Sequence, residues 1–154
     1  MSERFEALEH FFLREVCQKA TKPLRVGTEM SVKVDENEHY TLRREKEGLK
    51  VLSTPCKTPD LSFTLTLETL KKLNAAKTED VGEMGVELLK LLAQNDPTVK
   101  MHAKVHIGLF DLLTKGYLGV LPLGGPAVMK FLGAKGLTNM GKIKEAISRL
   151  RTDK

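Results

Sequence analysis

The chain has 154 residues, 41% apolar and 29% charged, with a formal net charge of +5. That length fits one domain, and such a domain buries roughly 70% of the surface its unfolded chain exposes, so disulfide staples are not needed. Cys17 and Cys56 stand too far apart for a CxxC metal or redox motif, and the charged start lacks a secretory apolar run; a reduced, cytoplasmic protein is expected.

Residues 4 to 20 set Phe5, Leu8, Phe12 and Val16 at three- and four-residue spacings with charges between them, which predicts one amphipathic helix. Pro23 and Gly27 close it. The period then drops to two, with Met30, Val32 and Val34 alternating with Ser31 and Lys33. Turns at "DENE" and "EKEG" separate this strand from "HYTLRRE" and "LKVLST", so the three form an antiparallel meander.

After a loop over 53–60, Leu61, Phe63 and Leu65 alternate with Ser62 and Thr64 in a fourth strand. The pattern turns helical at once in "TLETLKKLNAAK", where Leu67, Leu70 and Leu73 share a face. A second helix, in "TEDVGEMGVELLKLLAQ", aligns Val81, Met84, Leu88 and Leu92 and stops at "NDP". "TVKMHAKVHIG" is the clearest strand: Val99, Met101, Ala103, Val105 and Ile107 take one face, and Lys100, His102, Lys104 and His106 the other.

Residues 108–136 follow, the most apolar part of the chain and the site of seven of its twelve glycines. The longest uncharged run, 116–129, is 14 residues with two prolines, short of the ~20 apolar residues of a spanning helix. Pro122, Gly124, Gly125 and Pro126 oppose a continuous helix there. Last, "TNMGKIKEAISRL" sets Met140, Ile143, Ile147 and Leu150 in a helical stripe. The order α-β-β-β-β-α-α-β-α-α predicts an α+β domain, a mainly antiparallel five-stranded sheet with helices on one face.

Chemistry-bearing patterns are sparse. His102 and His106 have a ligand spacing, but they lie on a strand with Lys104 between them, which opposes a cation; no metal site and no cofactor are expected. "GYLGVLPLGGP" is followed by no GK[ST] and belongs to no strand–GxGxxG–helix unit, so neither phosphate motif applies. No catalytic residues are assigned, and the two cysteines read as small buried hydrophobes. Residues 130–154 hold seven Lys or Arg against Glu145 and Asp153, the whole surplus of charge. With Phe131 the one aromatic there, nucleic acid is disfavoured, while Lys130, Lys135, Lys142, Lys144, Arg149 and Arg151 suit an anionic membrane surface.

An amphipathic helix, a three-strand meander, "PDLSFTLT" running directly into "LETLKKL", and "AKVHIG" leading to an apolar end together resemble the sterol carrier protein type-two family of nonspecific lipid-transfer proteins. The sequence likeness is local, to Asp60–Leu73 and to "KVHIG" at 104–108; a helix-bearing insertion at 74–98 and a basic helix beyond 137 depart from the family. The resemblance implies a lipid-binding domain over 1–136, with 137–154 part of it, enclosing an apolar tunnel that takes a sterol, acyl or isoprenoid chain without chemistry. Its walls would come from Phe63, Leu65, Met101 and Val105 on the strands. The apolar segment would add Phe110, Leu113, Tyr117, Leu118, Leu121, Leu123, Met129 and Phe131, with 116–129 as a gate. The alternative is an accessory module that buries this segment in a homodimer or against a partner protein.

Overall fold

The computed structural model describes residues 2–36, 38–93, 101–120, 123, 125–134, 136, 141, 142, 145, 146, 148 and 149. Ser2 opens the first helix by accepting from the Phe5 N–H, a serine N-cap. The expected single helix over 4–20 is two, α1 (Glu3–Phe12) and α2 (Glu15–Ala20), because Arg14 between them is extended. Its guanidinium is the reason: it reaches the carbonyls of Leu73 and Thr78 and the Glu79 carboxylate, while Glu79 also accepts from the Val16 N–H. The break moves the buried stripe to Phe5, Leu8, Phe11 and Val16. Phe12, expected in the core, is half-buried and meets Phe11 edge-on with ring centroids 5.0 Å apart.

Strands β1 (Glu29–Val34), β2 (Glu38–Glu45) and β3 (Gly48–Leu52) form the meander, β4 (Leu61–Leu65) runs into α3 (Leu67–Ala75), and β5 is Met101–Val105. Val99 lies outside the described residues, and Ile107 lies beyond the strand. The sheet order is β3-β2-β1-β4-β5, antiparallel except where β4 joins β1 in parallel. That pair arises because the chain leaves one edge and returns at the other side of β1, three strand spacings or about 14 Å away. The 53–60 loop makes the crossing over the outer face. Thr41 Oγ1 donates to the Thr54 carbonyl, and Cys56 Sγ lies 3.8 Å from Glu29 Oε1.

Register puts three apolar rows on the inner face: Val51–Leu42–Met30–Leu61–Val105, Tyr40–Val32–Phe63–Ala103, and Val34–Leu65–Met101. Over them lie α1, α3 and α4 (Val81–Ala93). Thr66 caps α3 through the Thr69 N–H, and Leu70 and Leu73 point into the core. From α4 the buried side chains are Met84 and Leu91, with Val81 and Leu88 half-buried; the Leu92 side chain lies outside the described residues. Gln18, on α2, holds the sheet's edge, its amide accepting from the Leu49 N–H and donating to the Leu49 carbonyl.

Beyond β5 come α5 (Leu109–Thr114), a 3-10 turn at Tyr117–Gly119, and α6 (Gly125–Ala134). Among the described residues the helical course is interrupted at left-handed Gly116, and Pro126 falls in the first turn of α6, where no N–H is required. Val128 and Leu132 of α6 make a second small core with Val86 and Leu89 of α4. Gly85 permits this close approach, since a Cβ there would stand 2.9 Å from Val128 Cγ2.

Gly116 carries the sharpest backbone demand. Its φ is +92°, and a Cβ would fall 2.0 Å from the Pro23 carbonyl oxygen. Gly116→Ala is therefore expected to destabilise the domain by about 2 kcal/mol or more. Gly133→Ala, in open space on α6, should be neutral or gain up to about 1 kcal/mol of helix stability. Urea unfolding midpoints of the two variants measure the contrast.

Candidate functional site

Asp60 begins the site. It is 4% exposed, at the end of the loop that crosses the sheet. Its N–H donates to the Glu29 carbonyl, and its carbonyl accepts from the His106 N–H, so its backbone links β1 to the residue after β5. Its carboxylate accepts from Lys115 Nζ at 2.7 Å and from the Tyr117 hydroxyl at 3.1 Å. A buried carboxylate without such partners would be costly, so the three side chains stand or fall together. They fix the start of the 3-10 turn against β4. Burial pushes the Tyr117 hydroxyl well above its ordinary ionisation range, and the adjacent Asp60 charge adds to this.

Above this anchor the inner face is incompletely sealed. Most of its apolar rows are buried, whereas Leu61, Phe63 and Ala103, neighbours on β4 and β5, are half-buried. Half-buried Tyr117 and Val120 pack against the same core from the 3-10 turn side, as Leu88 does from α4. These described residues are all apolar except for the Tyr117 hydroxyl, which donates to Asp60, and such a wall can hold hydrocarbon. Two open depressions lie far from it, beside α1, one lined in part by Glu6, His10 and Arg14 and the other by Gln18 and Leu49.

The residues expected to line a tunnel divide. Leu65, Met101 and Val105 are buried in the core, while Phe63, Tyr117 and Phe131 are half-buried. Phe110, Leu113 and Leu123 point outward instead, 75%, 60% and 44% exposed. On α5 it is Leu112 that turns inward and Phe110 and Leu113 that do not, since the six-residue helix has a single inward stripe. Leu121 lies outside the described residues, as do the side chains of Leu118 and Met129. The Asp60–Lys115–Tyr117 cluster has no sequence signal, because its members are 55 and 57 positions apart.

Other polar groups are accounted for locally. Burial pushes the Cys17 thiol up to about 12, opposed by nearby Arg14 and reinforced by Glu79. It raises half-buried Cys56 as well, so both sulfurs are kept as thiols. Ser62 Oγ lies 2.8 Å from Ser31 Oγ and 2.7 Å from His106 Nε2 on the outer face. His102 is exposed beside Thr64 on the same face. Among the described residues no group of three or more His, Cys, Asp or Glu could hold a metal ion, and no helix is long and apolar enough to cross a membrane. Of the basic end, Lys130, Lys142 and Arg149 are exposed, with Arg149 3.9 Å from Glu145, and Lys135, Lys144 and Arg151 lie outside the described residues.

Removing the carboxylate tests the anchor. Asp60→Leu should cost about 2 kcal/mol, since it leaves the Tyr117 hydroxyl without its acceptor and Lys115 without its counter-charge. Tyr117→Phe, which removes one hydrogen bond, should cost about 1 kcal/mol. The Tyr117 ionisation is raised in the folded state, so its stabilising share is whole below the ordinary value of 10.0 and is lost as pH climbs through the raised one. The stability gap between wild type and Tyr117→Phe, read by urea unfolding, should therefore narrow above pH 10.0.

No family model matches the chain, and no curated protein matches it. Among solved structures the chain is similar to one described as "UbiJ-SCP2 Ubiquinone synthesis protein", at 15% identity over 75% of this chain and 83% of that one, with a TM-score of 0.44.

Proposed function

We propose that this domain binds a hydrophobic lipid, without covalent chemistry, between the β4–β5 part of the inner sheet face and the segment that follows β5. The observation that carries the reading is the half-buried patch of Leu61, Phe63 and Ala103 within an otherwise sealed apolar face. A filled core would cover these side chains as it covers Met30, Val32, Leu65 and Met101 beside them. The element order, which resembles that of a lipid-transfer family, points the same way.

Hydrocarbon is the ligand chemistry that suits such a wall. Burying an acyl chain contributes roughly 0.8 kcal/mol per CH₂ before the costs of binding are subtracted, so no polar anchor is needed. The Tyr117 hydroxyl already donates to Asp60, and the wall therefore selects for apolar bulk rather than for a headgroup.

Native mass spectrometry of the purified protein tests the reading directly: copurified lipid supports it, and a ligand-free homodimer supports burial of the apolar segment between copies. Ala103→Phe should crowd the site and weaken a fluorescent fatty acid by about tenfold, or 1.4 kcal/mol. The melting temperature should move by only a few degrees, because the side chain grows into half-open space. Uptake by wild type that is undetectable would remove the proposal.

A further inference from the structure

The apolar side chains that face outward form a second feature, separate from the inner wall. Phe110 and Leu113, one helical turn apart on α5, are 75% and 60% exposed, while Leu112 between them is buried and roots the helix. Beside the end of α5 lies the 22–27 loop. The Arg25 N–H donates to the Lys115 carbonyl at 2.8 Å, and Gly116 sits against Pro23. That loop exposes Val26 at 58%, together with Lys22 and Arg25. Arg44 adds a half-buried guanidinium behind it, with Nη2 3.4 Å from the Lys22 carbonyl. The exposed acid on this part of α5 is Asp111.

We infer that α5 and the 22–27 loop together dock on an anionic lipid bilayer, with Phe110, Leu113 and Val26 entering the interface and Lys22 and Arg25 facing lipid phosphates. Three large apolar side chains are too few for a stable protein interface, which takes roughly 20–30 residues from each partner. A bilayer needs no matching shape: a few inserted side chains and neighbouring cations suffice for reversible attachment. The cations outnumber the single acid, which favours an anionic surface. The support is also stiff, because Lys115, next to α5, is tied to buried Asp60 and to the loop backbone. The inference rests on the lipid-binding reading for its role, since docking here would bring the segment after β5 to a lipid source.

The chain contains no tryptophan, so Phe110→Trp supplies a single reporter. With vesicles of phosphatidylcholine plus phosphatidylglycerol its emission should shift to the blue, and with phosphatidylcholine alone the shift should be much smaller. In cosedimentation the full chain carrying Phe110→Ser and Leu113→Ser should partition onto anionic vesicles about tenfold less than wild type. Lys22→Glu with Arg25→Glu should abolish the preference for anionic lipid. Both pairs are exposed, and circular dichroism checks that each variant is folded. Unchanged indole emission from the Phe110→Trp variant, or equal partitioning of the serine variant and wild type, overturns the inference, as does a solution dimer that the serine variant abolishes. Uptake of a fluorescent fatty acid from water is read in parallel. Uptake without docking defeats this inference alone, whereas docking without uptake upholds it and defeats the lipid-binding reading.

Discussion

The buried carboxylate of Asp60 is the constraint on which the rest of the arrangement depends. It sits at the start of β4, where β1, the residue after β5 and the 3-10 turn meet, and its backbone and side chain bond to these three. An ionised group this deep is tolerable only when its partners are in place. Placing them fixes the chain that leaves the sheet: Lys115 ends α5, and Tyr117 opens the turn. The left-handed Gly116 between them permits the reversal while pressing against Pro23. A polar knot thus sets the position of an apolar wall.

The second determinant is the divided allegiance of α4. One of its faces gives Met84 and Leu91 to the sheet's core, and another gives Val86 and Leu89 to α6. Beside it on the sheet, Leu61, Phe63 and Ala103 of β4 and β5 are left half-covered. The inner wall needs no special residue type. Its members, Leu61, Phe63 and Ala103, are ordinary core residues found where the core runs out of cover.

Periodicity in the sequence told the strands apart well, because their apolar residues alternate and alternation survives short length. It failed where a single long-range polar contact overrode local pattern. A 3-4-4 spacing from Phe5 to Val16 describes an unbroken helix, and nothing nearby in sequence announces that Arg14 bonds to residues some sixty positions on. The parallel β1–β4 pair was hidden for a similar reason: strand direction within a sheet follows from where the connecting loop travels, and "STPCKTPD" reads only as a loop. For the candidate site, residue type identified an apolar segment but not which side chains face in. Leu112 and Leu113 are chemically the same and adjacent, yet one is buried and the other exposed. On a helix of six residues there is too little pattern to choose between them.

The clasp of Gln18 on Leu49 has a consequence for the protein's behaviour toward its own copies. A sheet edge offers unpaired N–H and C=O groups on which a further strand can grow, the route to ordered aggregation. At the β3 edge both of the Leu49 backbone groups that face away from β2 are already occupied by one side-chain amide, which imitates a strand's backbone. An amide supplies a donor and an acceptor at the right spacing but cannot be extended, so growth ends with it. At Leu49 the β3 edge is thus closed to a further strand by a single residue from a helix.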